Sequence, residues 1–191
     1  GDIRDLSGTL YFYGSFLGAN DVINSPYTVQ ANGLYSSNYT ITYFDGYLKI
    51  DLNEVYVIAN DITKIYDSIP YKDIPVSYQG FQGNDSSANL TGSLLNVGSS
   101  LNATSIGTYL IIPSNLFSTN YNVLYKQGTL TIIPAPLYLN LQSFTKIYDG
   151  TTDIDNNNLQ SNIIYSISGI INNEIISIIS YTAKFKRHTA G

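Results

Sequence analysis

The chain has 191 residues, enough for one or two domains, and its hydrophobic content of 43% is sufficient for packed cores. Charged residues make up only 12% and the net charge is −5, which argues against nucleic acid as a partner because phosphate binding needs clustered Lys and Arg. Cysteine is absent, which excludes disulfides and thiolate metal sites, and no apolar run approaches the ~20 residues of a membrane-spanning helix. Methionine is absent even at position 1, so we expect a piece of a longer protein.

Three motifs each occur twice along the chain at nearly the same spacing, which is typical of tandem repeats. They are Leu6–Leu10 with Leu90–Leu94 at an offset of 84 (90 − 6), the motif N-Y-x-[IV]-x-Y-x-x-G-x-L-x-I at 38–50 and 120–132 at an offset of 82 (120 − 38), and Thr63–Asp67 with Thr145–Asp149 at an offset of 82 (145 − 63). These matches divide the chain into the back part of a repeat at 1–52, a complete repeat at 53–134 and the front part of a repeat at 135–191.

The third unit matches the complete repeat at a larger offset further along. Tyr165–Gly169 corresponds loosely to Val76–Gly80 at 89 (169 − 80), which predicts seven inserted residues (89 − 82) near Asp153–Gln160. The joint Pro134-Ala135-Pro136 is expected to be stiff, because proline fixes φ and favours an extended backbone. We therefore predict a rod-like array of small domains of about 82 residues.

Ile, Val, Thr and Tyr are dense and no window keeps a helical period, which predicts an all-β fold of small sandwich-like or β-grasp-like domains. The strands expected in the complete repeat are 55–59, 63–67, 74–79, 88–94, 107–112, 120–125 and 129–133. Both copies of the N-Y motif are expected to be β-hairpins, because two alternating runs flank a turn ending in Gly, as in Asp45-Gly46. A short helical turn is considered around Pro113–Leu116.

The sequence offers no constellation for catalysis. The single histidine, His188, lies near the C-terminus, there is no cysteine and no G-x-S-x-G motif, and the only glutamates are Glu54 and Glu174 at unrelated repeat positions. We therefore expect a protein that is not an enzyme and needs no cofactor, with no residues assignable to a ligand.

A metal site is the next possibility, and its best candidate is Asp153–Asn158. The segment begins like a calcium loop, but Asn158 replaces the glycine of the sharp turn and Ile164 stands where a bidentate Glu is required. We interpret it as a polar loop with Asx turns and expect no metal. The only basic run, Lys184–Arg187, is interpreted as a solvated strand end. Four Asn-x-Ser/Thr sequons, at Asn38, Asn84, Asn89 and Asn102, are no more than chance predicts for this composition.

The 18 tyrosines allow two interpretations. Aromatic faces can stack on sugar rings, but tyrosine is also a favoured strand residue whose ring packs while its hydroxyl stays wet. Tyr39 and Tyr121 recur at equivalent positions, as do Tyr66 and Tyr148. Positions that recur in each copy favour a structural role, whereas exposed tyrosines clustered in one repeat alone would favour binding.

Several of these motifs resemble the MBG-type repeat domain of very large bacterial surface and secreted proteins. The residues that carry the resemblance are Thr63–Asp67, Tyr78–Asp85, Leu90–Gly92, Gly107–Tyr109, Asn120–Tyr121 and Gly128–Ile132. Lys146–Thr152 is similar to the opening of the related YDG-type repeat, and Asp67 stands where many MBG repeats carry Gly. The resemblance implies an extracellular, mostly β, non-enzymatic module of adhesin-like or haemagglutinin-like proteins at the bacterial cell surface.

Three functions follow as hypotheses. The repeats form a rigid stalk that holds a distant adhesive tip, or they form a filament in which incomplete end repeats complete each other head to tail by strand pairing. Alternatively, tyrosine-rich faces bind carbohydrate or protein directly. The expected partners are neighbouring repeats of the same or identical chains, with host or cell-surface glycans and proteins left open, and without nucleic acid or membrane insertion of this segment.

Overall fold

The computed structural model describes residues 6–142 and 165–179. Within these ranges the chain has thirteen β-strands, a 3₁₀ turn at Ser87–Asn89 and no α-helix, which confirms the predicted all-β class. The strands are β1 Ser7–Tyr13, β2 Tyr27–Tyr35, β3 Gly46–Leu48, β4 Asn53–Ala59, β5 Ile62–Ile65, β6 Val76–Gln79, β7 Thr91–Asn96, β8 Gly107–Ile111, β9 Pro113–Phe117, β10 Tyr121–Lys126, β11 Gly128–Ile133, β12 Tyr138–Leu141 and β13 Tyr165–Ser168. No helix in these ranges has the length and hydropathy needed to span a membrane.

The first three strands form an antiparallel sheet in the order β1-β2-β3. The ladder between β1 and β2 is irregular between Gly8 and Tyr11. Gly8 has a φ of +94°, and a Cβ atom there would lie 2.1 Å from the carbonyl oxygen of Gly33. Glycine is required at this bulge because the two backbones approach too closely for any side chain.

The complete repeat is organised around two strand pairs that run side by side in the same direction. β4 pairs with β10 and β5 pairs with β11, both in parallel. Antiparallel strands flank these pairs, with β6 beside β4 and β8 beside β11. The two strands at the start of the repeat, β4 and β5, are therefore parallel neighbours of the two strands at its end, β10 and β11.

The hairpin predicted for 120–132 is wrong. β10 and β11 are separated only by Gln127, yet they belong to different sheets and do not pair with each other. Gly128 is the first residue of β11, and a Cβ atom there would lie 2.6 Å from the carbonyl oxygen of Ala59. The glycine therefore permits a close approach of two backbones and does not reverse the chain.

The hairpin predicted for 38–50 is also wrong. Residues 46–48 form β3 and pair with β2, whereas residues 39–45 are not in a strand. Gly46 of the Asp45-Gly46 dipeptide begins a strand whose partner lies upstream in the chain. In both motifs a local turn signal was outweighed by pairing with a distant strand.

The segment Pro113–Phe117 is strand β9, not the helical turn considered above. It pairs antiparallel with β7, and Pro113 is its first residue, where the missing N–H is tolerated. Asn115 has a φ of +70° where the ladder between β7 and β9 is irregular. Asparagine is among the few residues that adopt this conformation readily, so it marks a bulge here.

The main hydrophobic core of the described residues lies against β11, whose alternate residues point inward. Its buried members are Ala59, Tyr71, Ala103, Ile111, Leu130 and Ile132. Burial of one such aliphatic side chain stabilises the folded state by about 1.5–3 kcal/mol. The period-2 pattern of the sequence therefore selects this face of the sheet as the inner one.

Equivalent strands of different units pair in equivalent registers. β1, β2 and β3 of the first unit correspond to β7, β8–β9 and β11 of the complete repeat, and β12 and β13 correspond to β4 and β6. Matching partners are Ser7↔Tyr35 with Thr91↔Phe117, Tyr27↔Leu48 with Tyr109↔Leu130, and Tyr138↔Ser168 with Tyr56↔Gln79. The offsets between them are 84, 82 and 89, the same values that the motifs show in the sequence.

Candidate interaction site

The described part of the chain has no grouping of three or more His, Cys, Asp or Glu side chains that could hold a metal ion. Its two glutamates instead accept hydrogen bonds from tyrosine hydroxyls, Glu54 from Tyr56 and Glu174 from Tyr66. Other predicted features lie outside the described residues: the loop Asp153–Asn158, Tyr148, the YDG-like segment Lys146–Thr152, the basic run Lys184–Arg187 and His188. The side chains that remain to be explained are the recurring tyrosines.

Tyr125 connects two neighbouring strands through its hydroxyl group. The hydroxyl accepts a hydrogen bond from the N–H of Leu116 at 2.7 Å and donates one to the carbonyl oxygen of the same residue at 2.6 Å. The first unit repeats this contact, with the Tyr43 hydroxyl bonded to the N–H and carbonyl of Leu34 at 2.8 and 3.1 Å. We call this contact the tyrosine clamp, and it explains why Leu and Tyr recur nine residues apart in both units (43 − 34 and 125 − 116).

Tyr125→Phe should lower the free energy of unfolding by about 1 kcal/mol, because the N–H and carbonyl of Leu116 lose their partner at a partly exposed site. Urea unfolding followed by circular dichroism measures the change. Tyr35→Phe is the matched control, since Tyr35 is exposed, and its effect should stay within about 0.5 kcal/mol. Equal stability of the Tyr125 variant and this control would contradict the clamp.

Tyr121 fixes the loop that follows β6. Its ring contacts Phe81 edge to face at a centroid distance of 5.4 Å. Its hydroxyl accepts a hydrogen bond from the N–H of Gln82 at 3.1 Å and donates one to Asp85 at 2.7 Å. The bond to Asp85 raises the pKa of Tyr121 above the ordinary value of 10.0, because ionisation would place two negative charges side by side.

This contact predicts a loss of stability at alkaline pH. The pKa of Tyr121 is raised in the folded state, so its contribution is complete below pH 10.0 and is lost as the pH rises through the folded-state pKa. Urea midpoints measured from about pH 9 to about pH 12 should therefore fall, and Tyr121→Phe should make the fall shallower. A residual fall is expected, because the pKa values of four other tyrosines, Tyr27, Tyr56, Tyr66 and Tyr71, are also raised. Identical pH profiles for the two proteins would contradict this role of Tyr121.

Two side-chain contacts join neighbouring units. The N–H of Val22 in the first unit donates to the side-chain oxygen of Asn120 at 3.1 Å. Tyr66 of the complete repeat donates to Glu174 of the third unit, and Glu174 occupies the position of Asp85 at the offset of 89 (174 − 85). Consecutive units therefore contact each other through side chains as well as through the connecting chain.

The first and third units lack pairings that the complete repeat has. In the complete repeat β11 lies between β5 and β8, and β4 lies between β6 and β10. In the first unit β3 pairs only with β2, and in the third unit β12 pairs only with β13, among the residues that the structure describes. Within the described residues, the free edges of β3 and β12 are the candidate interaction site.

The complete repeat is an all-β unit in which β4 pairs with β10 and β5 pairs with β11 in parallel, and it shares its tyrosine clamp with the first unit. Residues 55–131 match the family described as MBG domain (YGX type), the family that the sequence motifs indicated. MBG domains are typical of surface proteins and are structural, adhesin-type modules, not a known family of enzymes. No curated protein and no solved structure gives a significant match to the chain.

Proposed function

We propose that this chain is a rigid stalk region of a large bacterial adhesin-like surface protein, located outside the cell and without enzymatic activity. The MBG family match supports a surface repeat module. The observation that carries the stalk role is the pair of contacts between units, Val22 with Asn120 and Tyr66 with Glu174. Side-chain contacts across each junction restrict bending between units, which a spacer needs in order to keep its length.

Small-angle X-ray scattering of the purified chain tests this proposal. A compact globule of this length has a radius of gyration of about 16 Å, so a stiff rod should give a clearly larger value with the scattering profile of an elongated particle. Tyr66→Phe removes one junction contact and should broaden the distribution of interatomic distances. Tyr109→Phe is the control, because its hydroxyl bonds to Ser105 within the same unit. A compact particle, or equal profiles for the two variants, would contradict the rigid stalk.

The filament alternative has a specific basis in the unpaired edges of β3 and β12. The same module becomes the subunit of a fibre if a strand of another chain covers each of these edges, because such a contact does not close on itself. A stalk and a fibre use the same rigid junctions and differ only in what covers the edges.

Direct glycan binding also has one observation in its favour. Tyr11 and Tyr13 form an exposed pair on β1 with a centroid distance of 6.2 Å, and the equivalent residues of the complete repeat are Leu95 and Val97. The pair is therefore an exposed aromatic surface found in one unit and not in the other. Titration with neutral oligosaccharides, followed by tyrosine fluorescence, should show binding that Tyr11→Ala abolishes and Leu95→Ala preserves. No binding by the unaltered chain would remove this candidate.

A further inference from the structure

The bulge between β1 and β2 places an asparagine directly before a glycine that the fold requires. Asn32 and Gly33 form the only Asn-Gly dipeptide in the chain. Gly33 has a φ of +98°, and a Cβ atom there would lie 2.2 Å from the carbonyl oxygen of Thr9. Any side chain at position 33 would therefore clash with β1 and strain the backbone. The structure thus fixes the residue after Asn32 as glycine.

The backbone nitrogen of Gly33 lies next to the side-chain amide of Asn32. Its N–H donates a hydrogen bond to the side-chain oxygen of Asn32, Oδ1, at 2.7 Å. Such local bonds between an asparagine side chain and the following backbone hold the two groups together. The amide carbon Cγ carries that oxygen, so a nucleophilic nitrogen lies close to an electrophilic carbon, and Gly33 has no side chain to obstruct it. Asn32 is exposed and the equivalent Ser114 of the complete repeat is half-buried, so water reaches this position in both units.

Other asparagines that precede small residues lack this arrangement. At Asn24, Asn84 and Asn102 the next N–H donates to an upstream backbone carbonyl instead. These bonds are Ser25 to Val22 at 3.0 Å, Asp85 to Gln82 at 3.0 Å and Ala103 to Ser100 at 3.1 Å. At Asn115, the counterpart of Gly33, the next N–H belongs to Leu116 and is held by the hydroxyl of Tyr125. Each of these nitrogens must give up a bond to another group before it can attack the preceding side chain, whereas Gly33 need not.

We propose that Asn32 is a site of spontaneous modification, at which the chain itself removes the side-chain amide. The Gly33 nitrogen loses its proton and bonds to Cγ of Asn32, while the bond between Cγ and Nδ2 breaks and that nitrogen leaves with the proton as ammonia. The product is a cyclic imide, a succinimide. Water, the only co-reactant, then opens the ring at one of its two carbonyl carbons. Opening at Cγ gives aspartate, and opening at the backbone carbonyl carbon gives isoaspartate.

The two products have different consequences for the first unit. Isoaspartate passes the main chain through Cβ and Cγ and so lengthens it by one carbon, between the ladder partners Tyr11↔Asn32 and Gly8↔Leu34. Leu34 is the residue whose N–H and carbonyl oxygen the Tyr43 hydroxyl binds. The inserted carbon displaces these groups and loosens the tyrosine clamp. Aspartate adds a negative charge and leaves the length of the strand unchanged, so the isoaspartate form is the one that weakens the first unit as the protein ages.

Peptide mapping by mass spectrometry tests the site. The folded chain is incubated in mildly alkaline buffer, and conversion is measured at Asn32 and at Asn24, Asn84 and Asn102. Conversion at Asn32 should be several-fold faster than at the other three positions, and it should rise with pH because the deprotonated nitrogen attacks. In urea the upstream hydrogen bonds are lost, so the other three positions should accelerate much more than Asn32. An unreactive Asn32 in the folded chain, or one that folding protects as strongly as the other three, would overturn the proposal.

Hydrogen exchange of the aged chain tests the consequence. The isoaspartate form, separated by chromatography, should lose protection at Leu34 and along β1 and β2. Asn32→Asp has the same charge without the additional carbon and should retain that protection. Asn32→Ser, which copies Ser114, should stay unmodified at this position and keep its protection on ageing. Equal protection in the isoaspartate form and in Asn32→Asp would show that the inserted carbon leaves the clamp intact, and would overturn the predicted loosening.

Discussion

Leu130→Ala should lower the free energy of unfolding of the complete repeat by about 2–5 kcal/mol. Leu130 has an exposure of 0% and packs in the core cluster with Ile111 and Ile132. Truncation removes the transfer free energy of the side chain and leaves a cavity that the surrounding sheet fills only in part. Urea unfolding followed by circular dichroism measures the loss, and hydrogen exchange assigns it to β8 and β11.

The chain contains a matched control for this substitution at Leu48. Leu48 occupies the equivalent register position in the first unit, opposite Tyr27, but it is 38% exposed. Leu48→Ala should therefore cost clearly less than Leu130→Ala, since a partly exposed side chain leaves no closed cavity. Equal losses at the two positions would show that the first unit already has a complete core, and would count against its unpaired edge.

Gly92→Ala should be similarly damaging, with a loss of about 3 kcal/mol or more. Gly92 has a φ of +95°, and a Cβ atom there would lie 2.2 Å from the carbonyl oxygen of Asn115. The alanine must therefore either adopt a strained backbone against a clash or break the bulge between β7 and β9. The unfolding midpoint in urea measures the loss, and protection of the β7–β9 amides shows where it arises.

Gly83→Ala separates the cost of backbone strain from the cost of the steric clash. Gly83 also has a positive φ, of +59°, but no atom lies within 4 Å of the position of its Cβ. Its substitution should cost only the backbone strain, about 1–2 kcal/mol. If Gly83→Ala were as harmful as Gly92→Ala, the close approach of β7 and β9 would not be the reason for the glycine.

Much of the fold can be predicted from the sequence because equivalent residues of different repeats can be compared within one chain. A single offset of 82 relates Tyr27 to Tyr109 and Leu48 to Leu130, and the structure places both pairs in the same register. Side-chain alternation identified strands such as β8 and β11 to within a residue or so. These features depend on local pattern and on self-similarity, which the sequence displays directly.

The pairing partner of each strand could not be predicted from the sequence in the same way. β10 and β11 are consecutive and end near a glycine, so they have the local pattern of a hairpin, yet β10 pairs with β4, which begins 68 residues earlier (121 − 53). Parallel pairing between distant strands has no turn between the partners and hence no local signature. Pro113–Leu116 was considered as a helical turn because its partner β7 is not the adjacent strand in the sequence, so no local turn signal shows the pairing.

The candidate site was predictable in part. Recurrence of Tyr39 and Tyr121 indicated a structural role, and Tyr121 does hold a loop through Asp85. The clamp of Tyr125 on Leu116 was missed, because a hydroxyl bonded to backbone atoms does not depend on the identity of its partner residue. The spacing of Leu and Tyr in both units was the one available signal.

The parallel pairing within the complete repeat determines how the domain would carry mechanical load. Tension enters the repeat at Asn53, where β4 begins, and leaves at Ile133, where β11 ends. Because β4–β5 and β10–β11 run in the same direction, these points lie at opposite ends of the joined strands. A pulling force therefore acts along the strands and loads the β4–β10 and β5–β11 ladders in shear. The hydrogen bonds of each ladder then share the force and do not break one after another. In a chain that is anchored at one end and pulled at the other, we expect this geometry to transmit force through both ladders.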